Sequence, residues 1–154
     1  MIALVRHAEA IPFASTDAER PLTPHGRLQA ATQASWLARN LPPGVLIVHS
    51  PYLRAVQTAN ILATPIKGHC LTDEALAAHR SVNDVVDTIK AYSHENVMVV
   101  GHMPTIAEAL AMLTASSAQV FHFSPATVAL LESPSRGTEL FHVRAIVPPE
   151  LLLP

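Results

Sequence analysis

Val97-Met98-Val99-Val100-Gly101-His102-Met103-Pro104 carries the pattern on which the fold turns. Four apolar residues in a row, three of them β-branched valine, read as a strand buried on both faces. Strands of that kind belong to parallel sheets covered by helices on either side. Glycine, histidine and then proline mark the turn from that strand into a helix over Pro104–Leu113. The same grammar occurs twice upstream. Ile2–Arg6 is an apolar strand that runs straight into His7, and Val45–Val48 leads through His49 to Ser50-Pro51. Thr23-Pro24 and Ser50-Pro51 are N-cap and first-turn signals, predicting helices to about Asn40 and about Ala63. In the first of these, Leu28, Ala31, Ala34, Leu37 and Ala38 are the expected buried stripe.

The remaining elements follow the same alternation. Ile66–Leu71 reads as a third strand, and Ser81 with Asp84 forms a capping-box pattern ahead of a helix over Val82–Tyr92. In the last third Val120–Phe123, Thr127–Glu132 and Glu139–Val147 read as consecutive strands, the last two joined by a turn over residues 133–137. Alternating elements followed by consecutive strands predict an α/β three-layer sandwich, with a mostly parallel sheet and an antiparallel edge. Residues 1–147 are expected to form one domain and residues 148–154 a short tail outside the core.

Composition narrows the function. The 154 residues are 49% apolar and 14% charged, a balance that suits a packed domain and excludes a disordered chain. The net charge of −2 provides no footprint for nucleic acid or an acidic membrane surface. No apolar run is long enough to span a bilayer, and Met1–Val5 meets Arg6 too early for a signal peptide. The single cysteine, Cys70, is expected to be a small buried residue, and its solitude fits a reducing cytoplasm. Nine histidines and an excess of arginine over lysine stand out. Arginine grips carboxylate and phosphate in bidentate fashion, and histidine titrates near neutrality.

Three strand ends carry these residues. Arg6-His7, Arg54 in the turn after His49, and His102 all fall at carboxyl ends of predicted parallel strands, the edge where open α/β sheets bind ligands. Two arginines, two histidines and helix N-termini describe a site for a compact dianion, and a phosphoryl group is the candidate. His25, His49, His69, His79, His94, His122 and His142 show no metal-ligand spacing and are assigned mostly to the surface or the rim of the site. Ser50 reads as a helix cap, and Trp36 as a packing residue.

Taken in order, Val5-Arg6-His7-Ala8-Glu9, Arg20-Pro21-Leu22-Thr23-Pro24-His25-Gly26, Ser50-Pro51-Tyr52-Leu53-Arg54-Ala55-Val56-Gln57-Thr58-Ala59 and Gly101-His102-Met103-Pro104 resemble the histidine phosphatase superfamily. The short length and the Arg-Pro-Leu-Thr element are similar to its SixA-type phosphohistidine phosphatases. The resemblance covers Met1 to about Leu113 and implies a phosphoglycerate mutase-like fold. It implies that His7 is the nucleophile forming a transient phosphohistidine, that Arg6, Arg54 and His102 hold the phosphoryl oxygens, and that Arg20 is a further substrate-binding arginine. It implies no metal and no cofactor. Two positions depart from the family: Ala8 stands where glycine is usual, and Ala78 where larger members carry an acidic glutamate. The proton donor stays open among Glu9, Glu74, His79 and Asp84.

A missing acid has a chemical meaning. An alkoxide leaving group requires a proton donor, whereas a protonated imidazole departs neutral without one. Protein phosphohistidine, on a partner such as a histidine phosphotransfer protein, is therefore the favoured substrate. A chain too short for a helical lid suits that choice. The alternatives are a phosphomonoesterase acting on a small phosphate ester and a phospholigand-binding module without turnover.

Overall fold

A computed structural model of the chain describes residues 1–93, 96–132 and 140–152. Six strands form one sheet: β1 (Ile2–Arg6), β2 (Leu46–His49), β3 (His69–Thr72), β4 (Val97–Gly101), β5 (Val128–Glu132) and β6 (His142–Val147). Their order across the sheet is β3-β2-β4-β1-β5-β6. β1, β2, β3 and β4 are mutually parallel, and β5 runs antiparallel to β1, with β6 antiparallel to β5 outside it. Among the described residues four α-helices cover the sheet: α1 (Pro24–Asn40), α2 (Leu53–Ile66), α3 (Val82–Tyr92) and α4 (Thr105–Thr114).

Strand pleating sorts the core into two halves. Ile2 and Leu4 of β1, Val97 and Val99 of β4, and Ala129 and Leu131 of β5 pack with α3 and α4. Their neighbours Ala3 and Val5, Met98 and Val100, and Val128 and Leu130 face α1 and α2. The sandwich predicted from alternation is the one found. Each central strand is apolar throughout because both of its faces are covered.

Several local expectations are corrected. Along α1 the buried residues are Gly26, Gln29, Ala30, Gln33, Ala34 and Leu37. Leu28, Ala31 and Ala38 are exposed. The stripe turns away from the apolar residues because two glutamines have backbone partners inside: Gln29 Oε1 accepts from Glu9 N–H, and Gln33 Nε2 donates to Val147 O. α2 continues to Ile66 through Pro65, so the predicted third strand starts only at His69. Pro65 lies in the last turn, where its fixed φ suits the helix and its missing N–H removes one bond only.

Cys70 is exposed, because β3 is the edge strand and pairs only with β2. His49 is buried rather than at the surface, its Nδ1 against Ser50 O at 2.9 Å. Val120–Phe123 is not a strand: Ala118–Val120 closes a 3-10 turn, and Phe123 is a core residue. Just beyond Val147, Pro149 is buried and Glu150 accepts a hydrogen bond from Ser124 Oγ, so these two residues pack on the domain. His94 and the 133–137 turn lie outside the described residues. His25, His69, His79, His122 and His142 are exposed, as expected.

Candidate active site

β1 and β4 are parallel neighbours with Arg6 opposite Gly101, so the two chains leave the sheet side by side. His7 N–H donates to Gly101 O at 3.0 Å, continuing the ladder past the strand end. This brings the His7 and His102 rings to 5.0 Å between centroids, edge to face. Ser50 N–H donates to Val100 O in the same way from the other neighbour, β2. Topology alone therefore gathers residues 7, 50 and 102 at one sheet edge.

Hydrogen bonds then fix the His7 ring. Nδ1 lies 2.8 Å from Ala8 O, a group that can only accept, so the proton sits on Nδ1. Nε2 is left with its lone pair, which accepts from Arg54 Nε at 3.1 Å. Ala8 is itself held, since its N–H donates to Thr58 Oγ1, and that hydroxyl donates to Arg54 O. Thr58 thus ties the His7–Ala8 turn to the first turn of α2. Burial, followed by the positive charges of Arg54, Arg6 and Arg20, outweighs the Ala8 hydrogen bond and pushes the His7 pKa down to about 4. His7 is neutral at physiological pH, the state in which Nε2 can attack.

His102 is buried, with Nε2 2.7 Å from Ser50 Oγ. Burial, the neighbouring His7 and then Arg54 push its pKa down to about 3. Ser50 Oγ also accepts from Tyr52 N–H at 3.2 Å. Ser50, read from sequence as a helix cap, sits instead two residues before the α2 N-cap, Tyr52, and is the partner of His102. Two buried donor or acceptor atoms in this cluster, Arg6 Nε and His102 Nδ1, have no partner among the described residues. Arg6 Nη1 donates to Phe123 O at 2.6 Å, anchoring the rest of that guanidinium.

Arg54 is the hub. It is buried, and its charge lies in the first turn of α2, where backbone N–H groups add to an anion-attracting field. Beyond His7, Nη1 donates to Asp17 O at 2.6 Å and Nη2 to Asp17 Oδ2 at 3.0 Å. Its Cζ lies 4.9 Å from the Tyr52 ring centroid, and Tyr52 also packs edge to face on His102. Arg20 joins from the loop after β1, donating through Nε to Ile11 O and through Nη1 to Asp17 Oδ1 at 2.8 Å.

Arg6, His7, Arg54, His102 and Arg20 therefore converge, together with Asp17, Ser50, Tyr52 and Thr58, to which the sequence reading gave no part in the site. Asp17 had a faint signal, its i,i+3 spacing to Arg20. Of the four residues considered as proton donors, Asp84 is engaged in the α3 capping box and Glu9 accepts from Thr23 Oγ1 at 2.6 Å. Glu74 and His79 are exposed between β3 and α3. Among the described residues no group of three His, Cys, Asp or Glu is placed to hold a metal ion, and no helix is long and apolar enough to cross a membrane.

A neutral imidazole held beside three guanidinium groups is suited to taking up and releasing a phosphoryl group. That chemistry, the strand order and the motif set define a class: the chain belongs to the histidine phosphatase superfamily (branch 1), whose sequence model matches residues 2–78. It is thus a phosphatase acting on phosphorylated substrates. Within that class its likenesses include SixA proteins. It is 30% identical to the phosphohistidine phosphatase SixA homolog of Haemophilus influenzae over 84% of this chain and 86% of that one. It is 29% identical to the phosphohistidine phosphatase SixA of Escherichia coli over 71% of each. The fold superposes on the protein histidine phosphatase SixA complexed with tungstate with a TM-score of 0.87, at 22% identity and over 99% of both chains.

Proposed function

We propose that the protein hydrolyses phosphohistidine on a protein partner through a covalent phosphohistidine formed on His7. The observation that carries this is the state of the His7 ring: Nδ1 is tied to Ala8 O, so Nε2 is unprotonated and aligned by Arg54 Nε–H. In the first half-reaction the Arg54 Nε–H bond passes from Nε2 to a phosphoryl oxygen, the freed lone pair of Nε2 attacks phosphorus, and the bond from phosphorus to the substrate nitrogen breaks with its electron pair passing to that nitrogen. In the second, the oxygen of water attacks phosphorus, the pair of the breaking P–N bond returns to Nε2, and both water protons leave on the oxygens of the released inorganic phosphate.

Arg54, Arg6 and Arg20 neutralise the charge spread over the transferring oxygens, which is the main demand of phosphoryl transfer. On this reading the arginines supply the charge that a metal would otherwise provide. Ser50 Oγ, already accepting from Tyr52 N–H, donates to His102 Nε2. The remaining proton then sits on Nδ1, where it serves as a donor to a phosphoryl oxygen. Arg6 Nε is a second such donor. That the leaving imidazole needs no strong acid agrees with the engaged or exposed positions of Glu9, Glu74, His79 and Asp84. The balance of residues also supports turnover over simple binding, since a phospholigand module requires no activated nucleophile.

Wild-type protein and His7→Ala are incubated with phosphohistidine protein and with small phosphate esters, following phosphate release and acid-labile label on the enzyme. Release from phosphohistidine with label on wild type alone is expected. Release from esters only would transfer the reading to a small-metabolite phosphomonoesterase. Binding without release or label would leave a phospholigand module.

A further inference from the structure

We infer that Asp17 is a specificity-determining residue that selects substrates whose leaving group is a cationic nitrogen heterocycle. This rests on the phosphatase reading of the His7 site and adds to it the group that recognises the departing half of the substrate. The carboxylate stands one guanidinium away from the nucleophile: His7 Nε2 to Arg54 Nε is 3.1 Å, and Arg54 Nη2 to Asp17 Oδ2 is 3.0 Å.

Accessibility sets the direction of the argument. His102 and Arg54 are buried, and the Arg54 side chain is only 5% exposed, whereas Arg20 is 26% and Asp17 56% exposed. The cluster is therefore open on the side of Asp17 and Arg20, and a leaving group attached to a macromolecule has to project that way. Each carboxylate oxygen of Asp17 accepts one bond, Oδ1 from Arg20 and Oδ2 from Arg54. A carboxylate has about four acceptor sites, so an exposed one in this arrangement retains capacity for a further donor.

The chemistry of the leaving group supplies that donor. A phosphoimidazole protonated on its second ring nitrogen carries an N–H⁺ that a carboxylate accepts as a charge-assisted hydrogen bond. His7 Nε2 bonds to phosphorus, the substrate P–N bond breaks, and its electron pair stays on the ring. The ring leaves as neutral imidazole, and no proton has to be delivered. An alkyl ester makes the opposite demand, since its alkoxide must receive a proton. Asp17 does not provide one: hydrogen bonds from Arg20 and then Arg54 hold its carboxyl below the usual range, so it is ionised. The same negative charge repels a dianionic ester with no cation to offer. Both effects favour the phosphoramidate.

The test compares kcat/KM for N-phosphoimidazole and for p-nitrophenyl phosphate, whose phenolate departs without acid help, in wild type and Asp17→Asn. Asparagine keeps the shape and one acceptor oxygen toward Arg54, so the brace on that guanidinium survives, while the charge and the acceptor of Arg20 Nη1 are lost. The expected result is a fall of about tenfold to a hundredfold in the ratio of phosphoimidazole to p-nitrophenyl phosphate turnover. An unchanged or increased ratio overturns the inference. A parallel loss with both substrates also overturns it, because Asp17 would then only position Arg54. Wild type that turns over p-nitrophenyl phosphate through labelled His7 but ignores phosphoimidazole refutes this inference while leaving phosphoryl transfer on His7 intact. Wild type with neither turnover nor label fails at the earlier reading, so the two failures are distinguishable.

Discussion

Replacing His7 by asparagine should flatten the acid sensitivity of folding. His7 has a pKa near 4 in the folded chain against an ordinary 6.5, because the ring is buried beside cationic groups. The folded state therefore binds fewer protons than the unfolded state between those values, and stability falls as the pH drops through that window. At pH 5 the unfolded ring carries its proton and the folded ring mostly does not, a difference of about thirtyfold in the binding polynomial. That is about 2 kcal/mol of stability lost between pH 8 and pH 5, equivalent to roughly 4–8 °C in Tm for a chain of this size. His102, with a pKa near 3, acts in the same direction; removing His7 takes away one cause of that low value, but burial, the largest, remains, so its contribution nearly cancels at pH 5. At pH 5 both rings are neutral in the folded state, so their mutual repulsion does not intrude. Urea titrations of wild type and His7→Asn at pH 8 and pH 5 measure the difference directly. Equal pH sensitivity in the two proteins, within about 0.5 kcal/mol, would refute the assignment of His7 as a neutral buried imidazole.

Three further outcomes are expected. Ser50→Ala removes the partner of His102 Nε2 and the acceptor of Tyr52 N–H; denaturation should show a loss of about 1–3 kcal/mol, and steady-state kinetics a fall in kcat larger than any rise in KM. Arg54→Lys replaces three directed donors, to His7 Nε2, Asp17 O and Asp17 Oδ2, by one flexible ammonium. A drop in kcat/KM of about 10²–10³ is expected, with fold retained by circular dichroism. Gly26→Ala drives a methyl group into the Glu9 backbone, 2.9 Å from its carbonyl carbon and closer still to its oxygen. Overpacking of about 1–3 kcal/mol should outweigh the helix-propensity gain of about 1 kcal/mol, giving a lower denaturation midpoint and weaker activity through displacement of the His7–Glu9 turn.

How much of this was legible in advance follows from how far each signal reaches. Runs such as Val97–Val100 declare themselves because a strand covered on both faces must be apolar at every position. Edge strand β3 does not, since exposed His69 and Thr72 obey no burial pattern. Ile66 ends α2 instead of starting that strand, because proline at position 65, in the final helical turn, is tolerated. The α1 stripe was misjudged because Gln29 and Gln33 are inside, and what admits them is a backbone partner from β1's following turn and from the end of β6. No local periodicity contains that information.

Sequence by itself determined the alternation of strands and helices, the placement of Arg6, His7, Arg54 and His102 at strand ends, and the family, because each depends on residue type and local order. Tertiary structure decided the rest. Ser50 is a partner of His102 and Asp17 a partner of Arg54 across separations of 52 and 37 residues, and both pairings exist only once the β2-β4-β1 order has brought the strand ends together. The protonation of His7 belongs to that second group. An imidazole on a free chain titrates near neutrality; burial among three arginines is what keeps this one neutral.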